Sequence, residues 1–194
     1  MIRLLRDIAK EVLYRPKLKR LGPKSYIRRP RYLSNRDRIE VGRDCLIGRF
    51  VEIYPLTKHE NQSFDSRIVL GNSVYIGDWV QLHAMGSITI GDGCVVSDFV
   101  YVSDTAHGMD PTKGPILKQP LVSRGPVKLG EHTFVGLGSS ILPGVTLGKH
   151  CIVGTRSVVT RSFPDYSVIA GSPARLIRTL NPETDELVNS GERR

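Results

Sequence analysis

The chain has 194 residues, 40% of them hydrophobic and 7% aromatic, with a formal net charge of +9. This length fits one ordinary domain with a short extension, and the hydrophobic content excludes a disordered chain. No apolar run is long enough to span a bilayer, and residues 1–13 are too interrupted by charge for the core of a signal peptide. We therefore expect a cytoplasmic protein whose three cysteines stay reduced.

The positive charge is concentrated at the N-terminus. Residues 1–38 contain thirteen Lys or Arg and three Asp or Glu, whereas the remainder contains fifteen basic and sixteen acidic residues. We expect residues 1–24 to form a basic arm whose helix either packs on the domain, which we favour, or lies on the inner face of a membrane. Nucleic acid is not an expected partner, because aromatic residues are sparse here and no nucleic-acid-binding motif accompanies them. Apolar residues recur in the arm at helical spacing, at Ile2, Leu5, Ile8, Ala9, Val12 and Leu13.

Beyond the arm, aliphatic residues recur every six positions. A period of six fits neither an α-helix nor an alternating strand, but it fits a parallel β-helix, in which three short strands make each triangular coil. We expect an all-β domain over residues 25–170, with glycine supplying the backbone conformation at each corner. Cys45, Cys94 and Cys151 fall at the small position four residues after an aliphatic, which predicts core fillers. The predicted inward residues are Val41, Ile47, Ile53, Leu70, Ile76, Leu82, Ile90, Val96, Val102, Leu129, Val135, Ile141, Leu147, Val153 and Val159.

Every interruption of the period follows the same face of the predicted prism. We name the three faces A, B and C in succession, starting with Val41 on face A. Eleven extra residues follow Ile53, two follow Leu82 and twenty-one follow Val102, and all three positions lie on face C. All the irregular chain therefore leaves the prism at one edge.

The two long insertions, loops 54–66 and 105–126, are the predicted location of the functional site. Loops held by a rigid scaffold usually carry binding groups. The alignment of coils also puts residue 83 one coil away from residue 103. His83 is therefore expected to lie beneath Asp104 and His107, so that two histidines and one carboxylate meet at this edge.

Two stretches resemble a known family. They are "VYVSDTAHG" (100–108) and residues 120–178, which close on "YSVIAGSPAR". They are similar to the hexapeptide-repeat acyltransferases, in particular the sugar O-acetyltransferases of the galactoside, maltose and exopolysaccharide type. The resemblance covers residues 25–180 and implies a left-handed β-helix, a homotrimer, and acetyl-CoA as the co-substrate with no metal needed for the chemistry. It also implies that residues 171–194 form a C-terminal helix and a polar tail.

The resemblance implies that His107 is the general base. A hydroxyl is a poor nucleophile until its proton is removed, and an imidazole titrates near neutral pH. Asp104 either orients this imidazole or binds an acceptor hydroxyl, or it satisfies backbone amides where the strand ends. His83 is a candidate contact with the acceptor. His132 and His150 are expected to be ordinary surface residues, and His59, in the first long loop, has no assigned role.

The resemblance also implies a set of contacts with acetyl-CoA. Residues 134–137 read "FVGL", without the serine that follows the W-I-G of galactoside-type relatives, so we expect a backbone N–H to stabilise the oxyanion. The alternative role for Arg175 and Arg178 is solvated surface charge. The residues expected to contact acetyl-CoA are Gly136, Gly138, Thr155, Thr160, Arg161, Arg175 and Arg178.

The function expected from these features is acetyl-CoA-dependent O-acetylation of a sugar or glycan, by direct transfer. An N-acyltransferase acting on an amino sugar and an antibiotic acetyltransferase use the same chemistry and stay open. A zinc enzyme like the γ-type carbonic anhydrases needs an H-x4-H pair, and no two histidines here have that spacing. A non-catalytic scaffold has little reason to gather a histidine, an aspartate and long loops at one edge.

Overall fold

The computed structural model describes residues 16–180 and 187–189, and within them nearly all regular structure is β-strand. Three main sheets, of six, nine and six strands, form the faces of a triangular prism. The helical elements in this part of the chain are two short 3-10 segments, Arg36–Arg38 and Ile116–Lys118. No helix among the described residues is long and apolar enough to cross a membrane.

The strands of each face follow one another along the prism axis and pair in parallel through successive coils. Face A comprises Arg20–Leu21, Ile39–Val41, Arg67–Leu70, Ser87–Ile90, Val127–Leu129 and Thr146–Leu147. Face B comprises Tyr26–Ile27, Leu46–Ile47, Tyr75–Ile76, Val95–Val96, Phe134–Val135, Ile152–Val153, Ser167–Gly171, Ala174–Leu180 and Leu187–Asn189. Face C comprises Tyr32–Leu33, Glu52–Pro55, Gln81–Ala84, Tyr101–Ser103, Ser140–Ile141 and Val158–Val159.

The hydrophobic core is a set of three aliphatic ladders, one on each face. On face C, for example, Ile53 pairs with Leu82, Leu82 with Val102, and Val102 with Ile141. All fifteen residues predicted to point inward are at most 2% exposed. Burial of each such side chain contributes about 1.5–3 kcal/mol, and stacking lets the coils share one continuous core. The β-helix and its register are therefore confirmed.

The glycines that follow the core residues are required for a different reason from the one expected. A Cβ on Gly136 would lie 2.7 Å from the carbonyl oxygen of Val153 in the next coil, so the close approach of two backbones excludes any side chain. The left-handed conformation falls two residues later, at Gly138 with φ +68°. At the same corner of another coil it is adopted by Trp79, with φ +61°. Glycine here relieves contact between coils and does not supply an unusual φ.

Where the small residue four positions after an aliphatic residue is Ser, Thr or Cys, its side chain contacts the backbone one coil away. Ser139 donates its hydroxyl to the carbonyl of Gly154 at 2.9 Å, and the Cys94 sulfur lies 3.0 Å from the carbonyl oxygen of Gly130. Desolvation by burial raises the pKa of the Cys94 thiol to about 11. The predicted core role of the cysteines is confirmed, since all three are buried: Cys45, Cys94 and Cys151.

The prism begins earlier than the predicted boundary at residue 25. The strand Arg20–Leu21 pairs in parallel with Glu40 and Val41 on face A. The last residues of the predicted arm, 20–24, therefore belong to the first coil. The predicted amphipathic N-terminal helix falls mainly on residues 1–15, which lie outside the described residues.

The predicted C-terminal helix is wrong for residues 171–180. Gly171, with φ +103°, turns the chain into the strand Ala174–Leu180, which pairs antiparallel with Ser167–Gly171 on face B. Side chains alternate along this strand between packed and exposed, and Leu176 packs against the prism core. A period of two is that of a strand, so the end of the prism is closed by a hairpin.

Candidate active site

A cavity of about 260 Å³ lies over face C, at the C–A corner, where the chain passes from face C to face A. Tyr54, His83 and Tyr101 contribute to it from face C, while His59 and His107 enter it from the two long insertions. Each insertion contains a short antiparallel pair of strands. The prediction that both insertions leave at one edge and enclose a site there therefore matches the geometry.

His107 lies on the strand Ala106–His107, which pairs antiparallel with Leu121–Val122, so that His107 is opposite Leu121. Its Nδ1 atom is buried and has no hydrogen-bond partner among the described residues. Buried polar atoms are nearly always paired, so an unpaired ring nitrogen beside a cavity marks His107 as a candidate functional group. The imidazole can accept a proton from a hydroxyl that enters this space.

His59 is the site residue that the sequence reasoning left without a role. It lies on Lys58–His59, which forms a hairpin with Gln62–Ser63. Its ring centroid is 6.1 Å from that of His107, with the planes inclined at 75°. The signal that could have found it was available, because the insertion that carries it leaves the prism at the same edge as the loop that carries His107.

Glutamine side chains hold the two insertions in place. Gln62 donates Nε2 to the carbonyl of Leu121 at 3.1 Å and accepts the Leu121 N–H at 2.7 Å, so it ties the hairpin to the strand opposite His107. Gln119, buried within the second loop, accepts the Asp110 N–H and donates to the carbonyls of Asp110 and Gly114. These side chains satisfy backbone N–H and carbonyl groups that have no neighbouring strand to pair with in the insertions.

Asp104 does not face His107, which corrects the expectation that it orients the imidazole. Its carboxylate is fully buried and accepts the N–H groups of Met85, Gly86 and Ser87 at 2.7, 2.9 and 2.7 Å. It is also absent from the lining of the cavity that holds His107. Of the two roles considered, Asp104 fills the structural one: it organises the turn of the preceding coil, because three orphan amides need an acceptor there.

His83 lies one coil from Ser103, as predicted, and lines the cavity. Its Nε2 is 3.3 Å from Oε2 of Glu52. The rings of Tyr54 and Tyr101 flank the imidazole edge-on, at 5.9 and 5.8 Å. Burial, reinforced by a neighbouring tyrosine, raises the pKa of the Tyr54 phenol, so Tyr54 stays neutral and can donate a hydrogen bond at physiological pH.

The residues expected to contact acetyl-CoA do not share one edge of a single prism. Gly136, Gly138 and Thr155 lie at the B–C corner, between faces B and C, whereas Thr160 and Arg161 follow face C in the last coil, at the C–A corner. The guanidinium of Arg161 lies over the ring of Phe163, at 5.2 Å from its centroid.

The remaining two expected contacts, Arg175 and Arg178, lie on face B. Arg175 pairs with Ala170 and Arg178 with Val168, and paired residues share a side of the sheet. Both arginines therefore lie on the outer side. Within residues 16–180 and 187–189, no group of three His, Cys, Asp or Glu side chains is arranged to hold a metal ion.

Comparison with known proteins places this geometry in a family. Residues 126–161 match the family model "Hexapeptide repeat of succinyl-transferase". The chain is 34% identical over 136 residues to a probable acetyltransferase of Mycobacterium tuberculosis, Rv3034c, covering 68% of this chain and 43% of that protein. The chain thus spans less than half the length of this relative.

Two relatives from Escherichia coli are covered more fully. The putative lipopolysaccharide biosynthesis O-acetyl transferase WbbJ is 29% identical over 191 residues, covering 94% of this chain and 90% of WbbJ. The putative colanic acid biosynthesis acetyltransferase WcaF is 33% identical over 132 residues, covering 68% of each chain.

Two solved structures share the fold. AntD, an N-acyltransferase from Bacillus cereus in complex with dTDP and 3-hydroxybutyryl-CoA, aligns with a TM-score of 0.68 at 22% identity, covering 92% of this chain and 88% of AntD. A galactoside acetyltransferase in complex with coenzyme A aligns with a TM-score of 0.56 at 23% identity, covering 84% of this chain and 66% of that one. The prism is thus the left-handed β-helix that the resemblance implied, and the chain belongs to the hexapeptide-repeat family of acetyltransferases.

Proposed function

We propose that this protein transfers the acetyl group of acetyl-CoA to a hydroxyl of a sugar or glycan, with His107 as the general base. The observation that carries the proposal is the buried, unpaired Nδ1 of His107 beside a cavity that is also lined by two tyrosines, two further histidines and several aliphatic residues. Such walls offer hydrogen bonds and ring faces to a carbohydrate. The names of WbbJ and WcaF, which refer to polysaccharide biosynthesis, support a glycan acceptor.

In the proposed reaction, His107 takes the proton of the acceptor hydroxyl while the hydroxyl oxygen forms a bond to the acetyl carbonyl carbon. Acetyl-CoA supplies an acyl group already activated as a thioester, so no nucleophilic Ser or Cys is needed. A backbone N–H near Gly136 of a neighbouring copy would stabilise the oxyanion, since Gly136 of the same prism lies at another corner. When the C–S bond breaks, the imidazolium of His107 returns the proton to the leaving sulfur. General base catalysis of this kind contributes about 10²–10⁴-fold in rate.

The test is the release of CoA thiol from acetyl-CoA with a panel of sugars, glycans and amino sugars, for the wild type and His107→Ala. The matched control is His150→Ala, since His150 is stacked between His132 and Tyr166 away from the cavity. We expect His107→Ala to lose about 10²–10⁴-fold in acceptor-dependent release and to keep its affinity for acetyl-CoA. Undiminished release by His107→Ala would remove His107 from the mechanism, and transfer only to amino sugars would convert the proposal into N-acylation.

We propose that the donor contacts predicted from the resemblance act across more than one prism. Gly136, Gly138 and Thr155 are at one corner and Thr160 and Arg161 at another, so one extended ligand would meet them most simply between neighbouring copies. Arg175 and Arg178, exposed and half-buried on the outer side of face B, would meet the phosphates. The variants Arg161→Ala, Arg175→Ala and Arg178→Ala are expected to raise the KM for acetyl-CoA, while kcat stays near that of the wild type.

A homotrimer is supported by the outer side of face B, which carries an apolar stripe. Among its members, Tyr75, Phe134 and Ile152 are 40, 40 and 37% exposed. A contiguous exposed apolar stripe typically marks an interaction surface. We expect Phe134→Glu to be monomeric by multi-angle light scattering. If Phe134→Glu is still a trimer, the interface lies on another surface. Seven outward residues stand in register, Tyr26, Leu46, Tyr75, Val95, Phe134, Ile152 and Val168.

We also propose a cytoplasmic location with peripheral membrane contact at the basic end of the chain. Residues 16–38 contain nine Lys or Arg and one Asp, and this charge continues the basic arm. Flotation with anionic and neutral vesicles tests the contact. We expect the full chain to float with anionic vesicles and the chain lacking residues 1–15 to float less, because it loses four basic residues and the apolar residues of the predicted helix. Equal flotation of both chains would exclude residues 1–15 as the contact.

A further inference from the structure

Two histidine nitrogens are buried without a hydrogen-bond partner among the described residues: Nε2 of His59 and Nδ1 of His107. Both rings line the same cavity. Buried polar atoms are nearly always satisfied in folded proteins, and an exception usually marks a functional group or a bound ligand. Two such exceptions beside one cavity mark both rings as functional, and because both line the cavity one ligand can contact both.

The position of His59 relative to His107 is set by specific contacts. The Lys58–His59 hairpin is closed by antiparallel pairing, in which His59 is opposite Gln62. Gln62 in turn bonds to the N–H and carbonyl of Leu121, and Leu121 is opposite His107 in the second antiparallel pair. A chain of backbone and amide bonds thus leads from one imidazole to the other, so His59 is held in the cavity wall by more than its own packing.

The separation of the two rings suits one small polar ligand. Their centroids lie 6.1 Å apart, and a hydrogen bond from each ring takes up about 2.7–3.2 Å between heavy atoms. Two neighbouring polar atoms of one molecule can therefore bond to the two rings from the side that faces the cavity. A metal ion held by this pair would need a third protein ligand, and the described residues contain no group of three suitable side chains.

We propose, resting on the proposed function, that His59 is a second acceptor-binding residue. Its imidazole bonds to the hydroxyl next to the one that His107 deprotonates. The acceptor is therefore a sugar with two neighbouring free hydroxyls, and His59 selects for the second one. Because a pocket built to bond a hydroxyl rejects the analogue that lacks it, His59 gives the site its preference for this pattern.

The experiment combines His59→Ala and His59→Gln with the best acceptor and its monodeoxy analogues, measured by CoA-thiol release. Gln offers an amide that can bond to the same hydroxyl, so it tests rescue of the hydrogen bond. His132→Ala is the matched control, since His132 stacks on His150 at the A–B corner, away from the cavity. The KM for acetyl-CoA and its slow hydrolysis without acceptor report whether the donor site is intact.

We expect His59→Ala to lower kcat/KM for the acceptor by about tenfold, the effect of one hydrogen bond, with donor parameters unchanged and partial rescue by Gln. For the wild type, kcat/KM should be lower by about the same factor with the monodeoxy analogue that lacks the neighbouring hydroxyl. For His59→Ala, kcat/KM should be the same with this analogue as with the full acceptor. If His59→Ala discriminates against every deoxy analogue as the wild type does, this inference is wrong while the transferase stands. If wild type acetylates no acceptor with a free hydroxyl, the proposed function fails and takes this inference with it.

Discussion

The side chain of Gln62 makes with Leu121 the two hydrogen bonds that a neighbouring strand would make: Nε2 donates to the carbonyl at 3.1 Å, and Oε1 accepts the N–H at 2.7 Å. One amide side chain thereby joins the two insertions, through residues that are 59 positions apart in the chain. The joined insertions form the wall of the cavity opposite face C. The wall therefore depends on a contact that lies outside the prism core.

Removal of this contact should impair the site and spare the fold. In Gln62→Ala both bonds are lost, each contributing about 1 kcal/mol, and the hairpin that carries His59 is released. We expect kcat/KM for the acceptor to fall about tenfold and the melting temperature to fall by no more than about 4–8 °C, because the core ladders are untouched. Asn72→Ala is the control, since its amide bonds Asp92 at another corner. A large loss of stability in Gln62→Ala would show that the insertions support the prism.

Asp104→Asn tests the structural role of the buried carboxylate. An amide can accept with only one of its two polar atoms, so N–H groups among Met85, Gly86 and Ser87 would face another donor. We expect a loss of about 3 kcal/mol in the free energy of unfolding, from charge-assisted bonds that are lost or left unsatisfied. Denaturant melts measure this. Asp44→Asn, in which a carboxylate that is 46% exposed is changed, should be nearly neutral.

Activity separates the two roles that were considered for Asp104. At a temperature where Asp104→Asn is folded, the structural role predicts acceptor turnover within severalfold of wild type. A fully stable Asp104→Asn protein without activity would instead place the carboxylate in the chemistry.

Cys94 should make the fold sensitive to alkaline pH. Burial raises the pKa of its thiol from 9.0 to about 11. Between these values the unfolded thiol loses its proton before the folded one, so stability present below pH 9 is lost as the pH rises towards 11. Two pKa units correspond to about 2–3 kcal/mol. Thermal melts at pH 8 and pH 10.5 should show a larger fall for wild type than for Cys94→Ser.

The serine in Cys94→Ser keeps a donor to the carbonyl of Gly130, as Ser139 does towards Gly154. Its melting temperature at pH 8 should therefore be close to that of wild type. An identical fall with pH in both proteins would show that other groups cause the alkaline loss.

Gly136→Ala should destabilise the prism whether or not Gly136 contacts acetyl-CoA. The new Cβ would lie 2.7 Å from the Val153 oxygen and 2.8 Å from the Thr155 nitrogen, both backbone atoms that cannot move aside. We expect a loss of about 2–3 kcal/mol, the usual effect of overpacking. Leu137→Ala is the control, because Leu137 is 41% exposed. Weak donor binding by Gly136→Ala is informative only if its unfolding free energy is close to that of wild type.

The repeat of six predicted the prism well because each coil repeats the same packing problem. Once Ile53, Leu82 and Val102 are placed on one face, their register follows, and so does the position of His83 beside Ser103. The common edge of the insertions followed from the same count. Periodicity was sufficient for these features because they depend on backbone pairing, which the aliphatic pattern reports directly.

Features without a repeat were less accessible. The C-terminal strand Ala174–Leu180 comes after the last regular coil, and its alternation is short. Asp104 had two reasonable roles, because the sequence does not show which amides of the preceding coil point at it. His59 reaches His107 through a hairpin and one glutamine contact, and neither leaves a periodic signal. Long-range side-chain contacts of this kind determine where the site residues lie, whereas the local aliphatic repeat determines the scaffold.

At the C–A corner, the residues that determine the fold are separate from the residues that form the candidate site. The coils are held together by backbone hydrogen bonds between neighbouring coils, whereas both insertions leave the prism and return to it at this one corner. Residues 56–66 and 105–126 could therefore be exchanged between related prisms without changing the core residues. Transplanting both together, with Gln62 and Leu121 kept as a pair, would be expected to transfer the acceptor preference.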